Sequence, residues 1–140
     1  MTEQLSPLAL QALAVVEESG AIIGANHAHP HTIRHKGRID LVTETDIAVE
    51  AFLKERLATL APQAGFLAEE SAEDLSLPDT CWIIDPVDGT TNFAHGLPLT
   101  VTSVAYRLNG EIVLGIVNAP LLRECFIAEK GKGAWRNGER

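Results

Sequence analysis

Asp85 and Asp88 stand three positions apart in W82-I-I-D-P-V-D-G-T-T-N-F93, directly after an apolar run. Asp is poor in strands and common in turns, so the ordinary reading is a strand running out into a loop. The chemical reading is a loop that holds metal ions. Pro86 fixes its own backbone and favours an extended Asp85, so that carboxylate would project past the strand end. Asp88 would then return on the turn beyond it, near enough for the two to share a pair of ions. Gly89 permits close backbone approach, and the amides of Gly89 and Thr90 could face a phosphate. The Thr90 hydroxyl can hold a water. Such a set would serve two-metal hydrolysis of a phosphate ester.

Two further segments bring carboxylates to their ends: Asp46 in the D40-L-V-T-E-T-D46 stretch, and Glu69 and Glu70 in F66-L-A-E-E-S71. Each has a dull explanation alone, Asp46 as an offset to a helix dipole and the glutamates as polar strand ends. Together they suggest a hard-cation site. Magnesium takes oxygen ligands, keeps several waters and needs only a few carboxylates. The chain carries 19 acidic against 11 basic residues, a net charge of −8. That balance argues against a nucleic-acid partner. It still allows a phosphorylated small molecule when bound cations supply the positive charge.

The elements that must position these groups are two helices followed by strands. Ser6-Pro7 reads as a helix start, with Leu8, Ala12, Val15, Val16, Ser19, Ile22 and Ile23 as its apolar face up to about Ala25. The histidine-bearing stretch from His27 to His35 reads as a solvated loop rather than a metal site. A second helix is expected to start with Thr43 as N-cap and Asp46 in its first turn, with Ile47, Ala51, Phe52, Leu57 and Leu60 as the buried stripe and Pro62 beyond its end. Short strand-like runs follow from Gly65 to Ser71, ending in Glu69, Glu70 and Ser71, and from Thr80 to Ile84. A hairpin is expected from Leu99 to Pro120 around Asn109-Gly110, then a further strand and a second turn at Asn137-Gly138. This pattern predicts an α+β fold, helices layered on a mainly antiparallel sheet. No stretch reads as a membrane span or a secretory leader, so neither a membrane partner nor export is expected. Cys81 and Cys125 read as buried free thiols, in keeping with a cytoplasmic location.

The three quoted motifs, from Asp40 to Asp46, from Phe66 to Ser71 and from Trp82 to Phe93, closely resemble the inositol monophosphatase family, within the lithium-sensitive, magnesium-dependent phosphatases. The N92-F93-A-H95-G96 continuation is most similar to the inositol branch rather than the fructose bisphosphatase or nucleotide bisphosphate phosphatase branches. The resemblance implies a magnesium enzyme, with two or three ions per site, that converts myo-inositol monophosphate to inositol and phosphate. It implies Glu69 as a ligand of the first metal, Asp85 as the bridge between first and second, the Val87 carbonyl as a ligand of the first, and Asp88 as a ligand of the second. Thr90 would orient the attacking water, with its hydroxyl held by Asp46. The amides of Gly89 and Thr90 would bind the phosphate beside Asp88. Glu70 would be a close neighbour rather than a ligand, and Asn92 would fix the loop. No protein nucleophile is implied, and His95 is given no chemical role.

The sequence departs from the family pattern at Ala68, where a glycine usually precedes the two glutamates. The W-D-x-A-x-G type motif of the family's second half does not follow Trp135. Residues 1–140 are therefore expected to be the metal-binding N-terminal half of a phosphatase domain, without the C-terminal half. Homodimerisation is a further expectation from the resemblance. The competing readings are a fructose bisphosphate or nucleotide bisphosphate phosphatase, and a non-catalytic metal- or phosphate-binding fragment.

Overall fold

A computed structural model of the chain describes residues 4–27, 37–68 and 78–140. Two long helices, α1 (Pro7–His27) and α2 (Gly37–Leu60), precede a six-stranded sheet. Its strands are β1 (Gly65–Ala68), β2 (Cys81–Asp88), β3 (Val101–Leu108), β4 (Glu111–Ala119), β5 (Glu124–Glu129) and β6 (Gly133–Arg136). A five-residue helix, α3 (Thr90–Ala94), follows β2. Strand order in the sheet equals chain order; β1 and β2 pair in parallel and every later pair is antiparallel. The expected α+β architecture is the observed one.

α1 begins where the sequence places it. Ser6 caps the helix by accepting the Ala9 N–H at 3.1 Å, which satisfies one of the amides that a helix start leaves without a partner. The same serine donates its N–H and hydroxyl to the Glu129 carboxylate, at 2.8 and 2.6 Å, so the helix start is tied to the end of β5. The inner face of α1 is Ala9, Ala12, Val15, Val16, Ser19, Gly20 and Ile23. Small residues there let the helix lie close on β4. A Cβ on Gly20 would come within 2.9 Å of both the Asn118 amide nitrogen and the Pro120 Cβ. In length and composition α1 does match a membrane span, contrary to the sequence expectation. Its residues Ala9, Ala12, Val15, Val16 and Ile23 are nevertheless built into the core with those of α2 and the sheet.

α2 departs from expectation at its start. The helix opens at Gly37, so Thr43 lies inside it rather than at the N-cap, and Asp46 is well past the first turn. A T-x-x-D sequence suits a cap locally, but the helical face before it is continued by partly buried Val42, which packs on the core. The buried stripe is also rotated from the one expected. Thr45, Asp46, Val49, Leu53, Leu57 and Ala61 are buried, an i, i+4 progression, whereas Ile47 and Ala51 face solvent and Phe52 and Leu60 are only partly covered. Of the expected stripe, Leu57 alone is fully buried. The reason is tertiary: this face must meet both α1 and β2. Asn26 at the end of α1 donates its amide to the Thr45 hydroxyl at 2.6 Å and sets the two helices in register. Of the histidine-bearing loop, residues 28–36 lie outside the described residues; His27 closes α1.

The sheet follows its turn chemistry. Asn109 and Gly110 both have positive φ, 51° and 83°, the two left-handed positions of the tight turn that matches strand twist. Asn137 and Gly138 repeat this at 50° and 84°, and reciprocal bonds between Arg136 and Glu139 close that turn at 2.7 and 2.9 Å. The Asn137 side chain accepts the Cys125 N–H and donates to the Arg123 carbonyl, so the turn also braces β5. Alternate residues of the sheet, Trp82 and Ile84, Val104 and Tyr106, Leu114 and Ile116, Cys125 and Ile127, join the helix residues in one core.

Two glycines of α1 should therefore respond oppositely to the same substitution. Gly24 has open space where a Cβ would go, so Gly24→Ala should raise stability by about 0.5–1 kcal/mol through helix propensity. Gly20→Ala gains the same propensity but must push into Asn118 and Pro120, and should lower stability by about 1–3 kcal/mol. Chemical denaturation of the two variants beside the parent chain would measure both; equal shifts would refute the close approach of α1 to β4.

Candidate functional site

Side chains alternate along a strand, so residues three apart normally point to opposite faces. β2 breaks this rule at the carboxylates. Asp85 pairs with Ser103 and Asp88 with Val101, with a register shift between them. Three steps along β2 are thus set against two along β3, a β-bulge with one extra residue. Ser103 and Val101 share a face of the sheet, so Asp85 and Asp88 share it too. Asp88 is the last residue of β2, not a member of a turn beyond it as the sequence suggested. Between them Val87 turns its side chain into the core, where it is 2% exposed. The buried Val87 anchors the bulge from below, while on the other face Asp85 is half-buried and Asp88 exposed.

Gly89 follows with φ 89° and ψ 38°, left-handed, as the residue that caps α3. Glycine is required there twice over: the conformation disfavours a side chain, and a Cβ would meet the Leu99 carbonyl oxygen at 2.6 Å. Thr90 is the first residue of α3. The first helical bond runs from the Phe93 N–H to the Gly89 carbonyl at 2.9 Å, so the Thr90 amide takes no part in the ladder of α3. Asn92 donates its amide to the Leu99 carbonyl at 2.9 Å and fixes the loop, as the sequence implied. Phe93 plugs the core, with the His27 ring 5.9 Å from it. His95 is exposed and ends α3. A hollow of about 320 Å³ opens beside Asp88, Gly89 and Asn92.

Across from this loop, α2 packs on α3, and Thr90 and Thr91 line one hollow with Val42 and Thr43. Asp46 stands on α2 within a turn of Thr43 and is 8% exposed. The fold therefore brings the Asp46 and Thr90 segments together on neighbouring elements. β1 runs parallel to β2 with Ala68 beside Ile84, the position just before Asp85. Glu69 and Glu70 lie outside the described residues. Among the described residues no three His, Cys, Asp or Glu side chains form a metal-holding group. The donors that are described, Asp85, Asp88 and the backbone at Val87, are all oxygens, and their chemistry fits a hard cation. The thiols take no part: burial first, and the Glu17 carboxylate second, push Cys125 up to about 12, so it stays protonated at neutral pH. Burial also raises Cys81, with Arg107 opposing.

Two positioning features escaped the sequence reading. The Asn26–Thr45 bond that seats α2 has no local signal. The bulge had one: an odd spacing of two carboxylates inside a segment that is otherwise a strand.

The sequence profile of the inositol monophosphatase family matches residues 4–140. An inositol monophosphatase of Dictyostelium discoideum is 46% identical over 132 residues, 91% of this chain and 48% of the relative. A Thermotoga maritima protein named fructose-1,6-bisphosphatase/inositol-1-monophosphatase is 46% identical over 101 residues, 72% of this chain and 39% of the relative. Among solved structures, the extragenic suppressor protein suhB of Bartonella henselae superposes with TM-score 0.80 at 33% identity, covering 96% of this chain and 53% of that one. The Thermotoga maritima IMPase does so with TM-score 0.76 at 34% identity, covering 91% and 50%. The chain spans about half the length of the curated relatives it matches. Matched along residues 4–140 and sharing the fold of these solved relatives, the chain belongs to the inositol monophosphatase family.

Proposed function

We propose that this chain carries the cation- and phosphate-binding part of a magnesium-dependent phosphomonoesterase whose substrate is inositol monophosphate. One observation carries the proposal: the bulge that turns Asp85 and Asp88 to one face, followed at once by the left-handed Gly89 and the start of α3. Membership in a family that generally uses Mg²⁺ supports the choice of cation. Asp85, Asp88 and the Val87 carbonyl, with Glu69, would hold it. Bound magnesium would supply positive charge to the phosphate and make water more acidic.

The chain's own groups then divide the remaining work. The amides of Gly89 and Thr90 orient the phosphate at the strand end. The Thr90 hydroxyl positions the attacking water, and the Asp46 carboxylate accepts from that hydroxyl and holds it in one orientation. Cys81 and Cys125 remain protonated and form no bond to phosphorus. A fructose bisphosphate is the second reading, favoured by the Thermotoga relative whose name joins both activities.

Calorimetric titration of the 140-residue chain with Mg²⁺ should show binding that Asp88→Asn weakens by at least ~10-fold, since loss even of groups behind the ligands costs about 10–100-fold. Unchanged affinity in that variant would refute the assignment. Phosphate release from inositol monophosphate, assayed with and without Mg²⁺ in any assembly that turns over, should disappear in the same variant. Thr90→Ala should lower kcat by roughly 10²–10⁴-fold with KM changed far less, because the hydroxyl acts on the water rather than on substrate binding. A KM effect without a kcat effect would remove Thr90 from the proposed role.

A further inference from the structure

The bulge in β2 is held from the side opposite the carboxylates. Thr102 of β3 has no exposed surface. It lies between Val101 and Ser103, the partners of Asp88 and Asp85, and so points to the other face of the sheet. Its hydroxyl donates to the Pro86 carbonyl at 2.8 Å, a buried bond across sixteen positions of sequence. Pro86 and Val87 are the two residues that the β2–β3 register leaves without a partner. Pro86 has no N–H to contribute, and its carbonyl is satisfied by a side chain where a regular strand would use backbone. A buried carbonyl left without a donor is costly, so the hydroxyl selects the bulged register over a straight one.

We propose that Thr102 is a positioning residue for the carboxylate pair: by holding the Pro86 carbonyl it fixes the bulge and aims Asp85 and Asp88 together. It touches neither cation nor substrate, and its removal changes no group at the site surface. The cation part of this inference rests on the reading given under Proposed function. The clamp itself rests on the hydrogen bond and the register alone.

Three substitutions in the 140-residue chain separate the two. Thr102→Val keeps the shape and loses the donor; Thr102→Ser keeps the donor; Thr102→Ala serves if valine prevents folding. Mg²⁺ affinity by calorimetry and amide hydrogen exchange along β2, β3 and β4 are read for each. Thr102→Val should weaken Mg²⁺ binding by roughly 10-fold or more and speed exchange at Val87, Asp88 and Gly89 by about 10-fold, with β4 unchanged. Thr102→Ser should restore both. Parent-like exchange at the bulge in Thr102→Val, or an acceleration spread evenly through the sheet, would overturn the clamp. A parent chain that binds no Mg²⁺ would overturn the cation reading instead, and the clamp would be decided by local exchange alone.

Discussion

The alternation of side chains along a strand is the constraint on which this site depends. Two residues three apart cannot share a face of a regular strand, and Asp85 and Asp88 are three apart. One additional residue in β2 against β3 reverses that parity. Everything around the bulge serves to keep it. Val87 is sunk in the core, and Gly89 sits in a conformation and a space that admit no side chain. Asn92 then bridges to Leu99 and closes the loop. A slip of one residue would send one carboxylate to the helix-covered face, where an unpaired charge is too costly to bury.

The helices act on the site through packing. α1 lies near the sheet because Ala9, Ala12, Ser19 and Gly20 are small, and it seats α2 through Asn26 and Thr45. Burial of Val49, Leu53 and Leu57 in the core, more than any intrinsic preference of α2, puts Asp46 on the buried face while Ile47 stays in solvent. A buried carboxylate on one element and a threonine at the start of another are thereby set on adjoining surfaces.

How legible this was in the sequence depended on whether the cause was local. Ser6-Pro7 starts α1 through its own cap, and the Asn-Gly pairs at 109–110 and 137–138 turn where the sequence says they turn, because left-handed backbone is a property of those residues. The α+β class followed from the order of helical and strand-like segments. The start of α2 was misread because Thr43 and Asp46 satisfy a local capping rule that the longer helix overrides. Its stripe was misread because Ile47 and Ala51 are as apolar as the residues that the core selects. The candidate carboxylates Asp85 and Asp88 could be named from the sequence. The device that makes Asp85 and Asp88 face one way could not, since a bulge is a relation between two strands.

The order of the sheet carries a consequence for assembly. Each strand neighbours the one before it in the chain, and from β2 onward each pair is antiparallel. Pairing from β2 to β6 therefore closes only short loops, which lowers the entropic barrier to folding and favours fast formation. The bulge can form as soon as β3 has met β2, before β5 and β6 exist as strands. The start of α1 is different: Ser6 meets Glu129 across 123 positions, so this contact closes nearly the whole chain. The carboxylate pair thus rests on strands near one another in the chain, and the start of the N-terminal helix on a strand far from it.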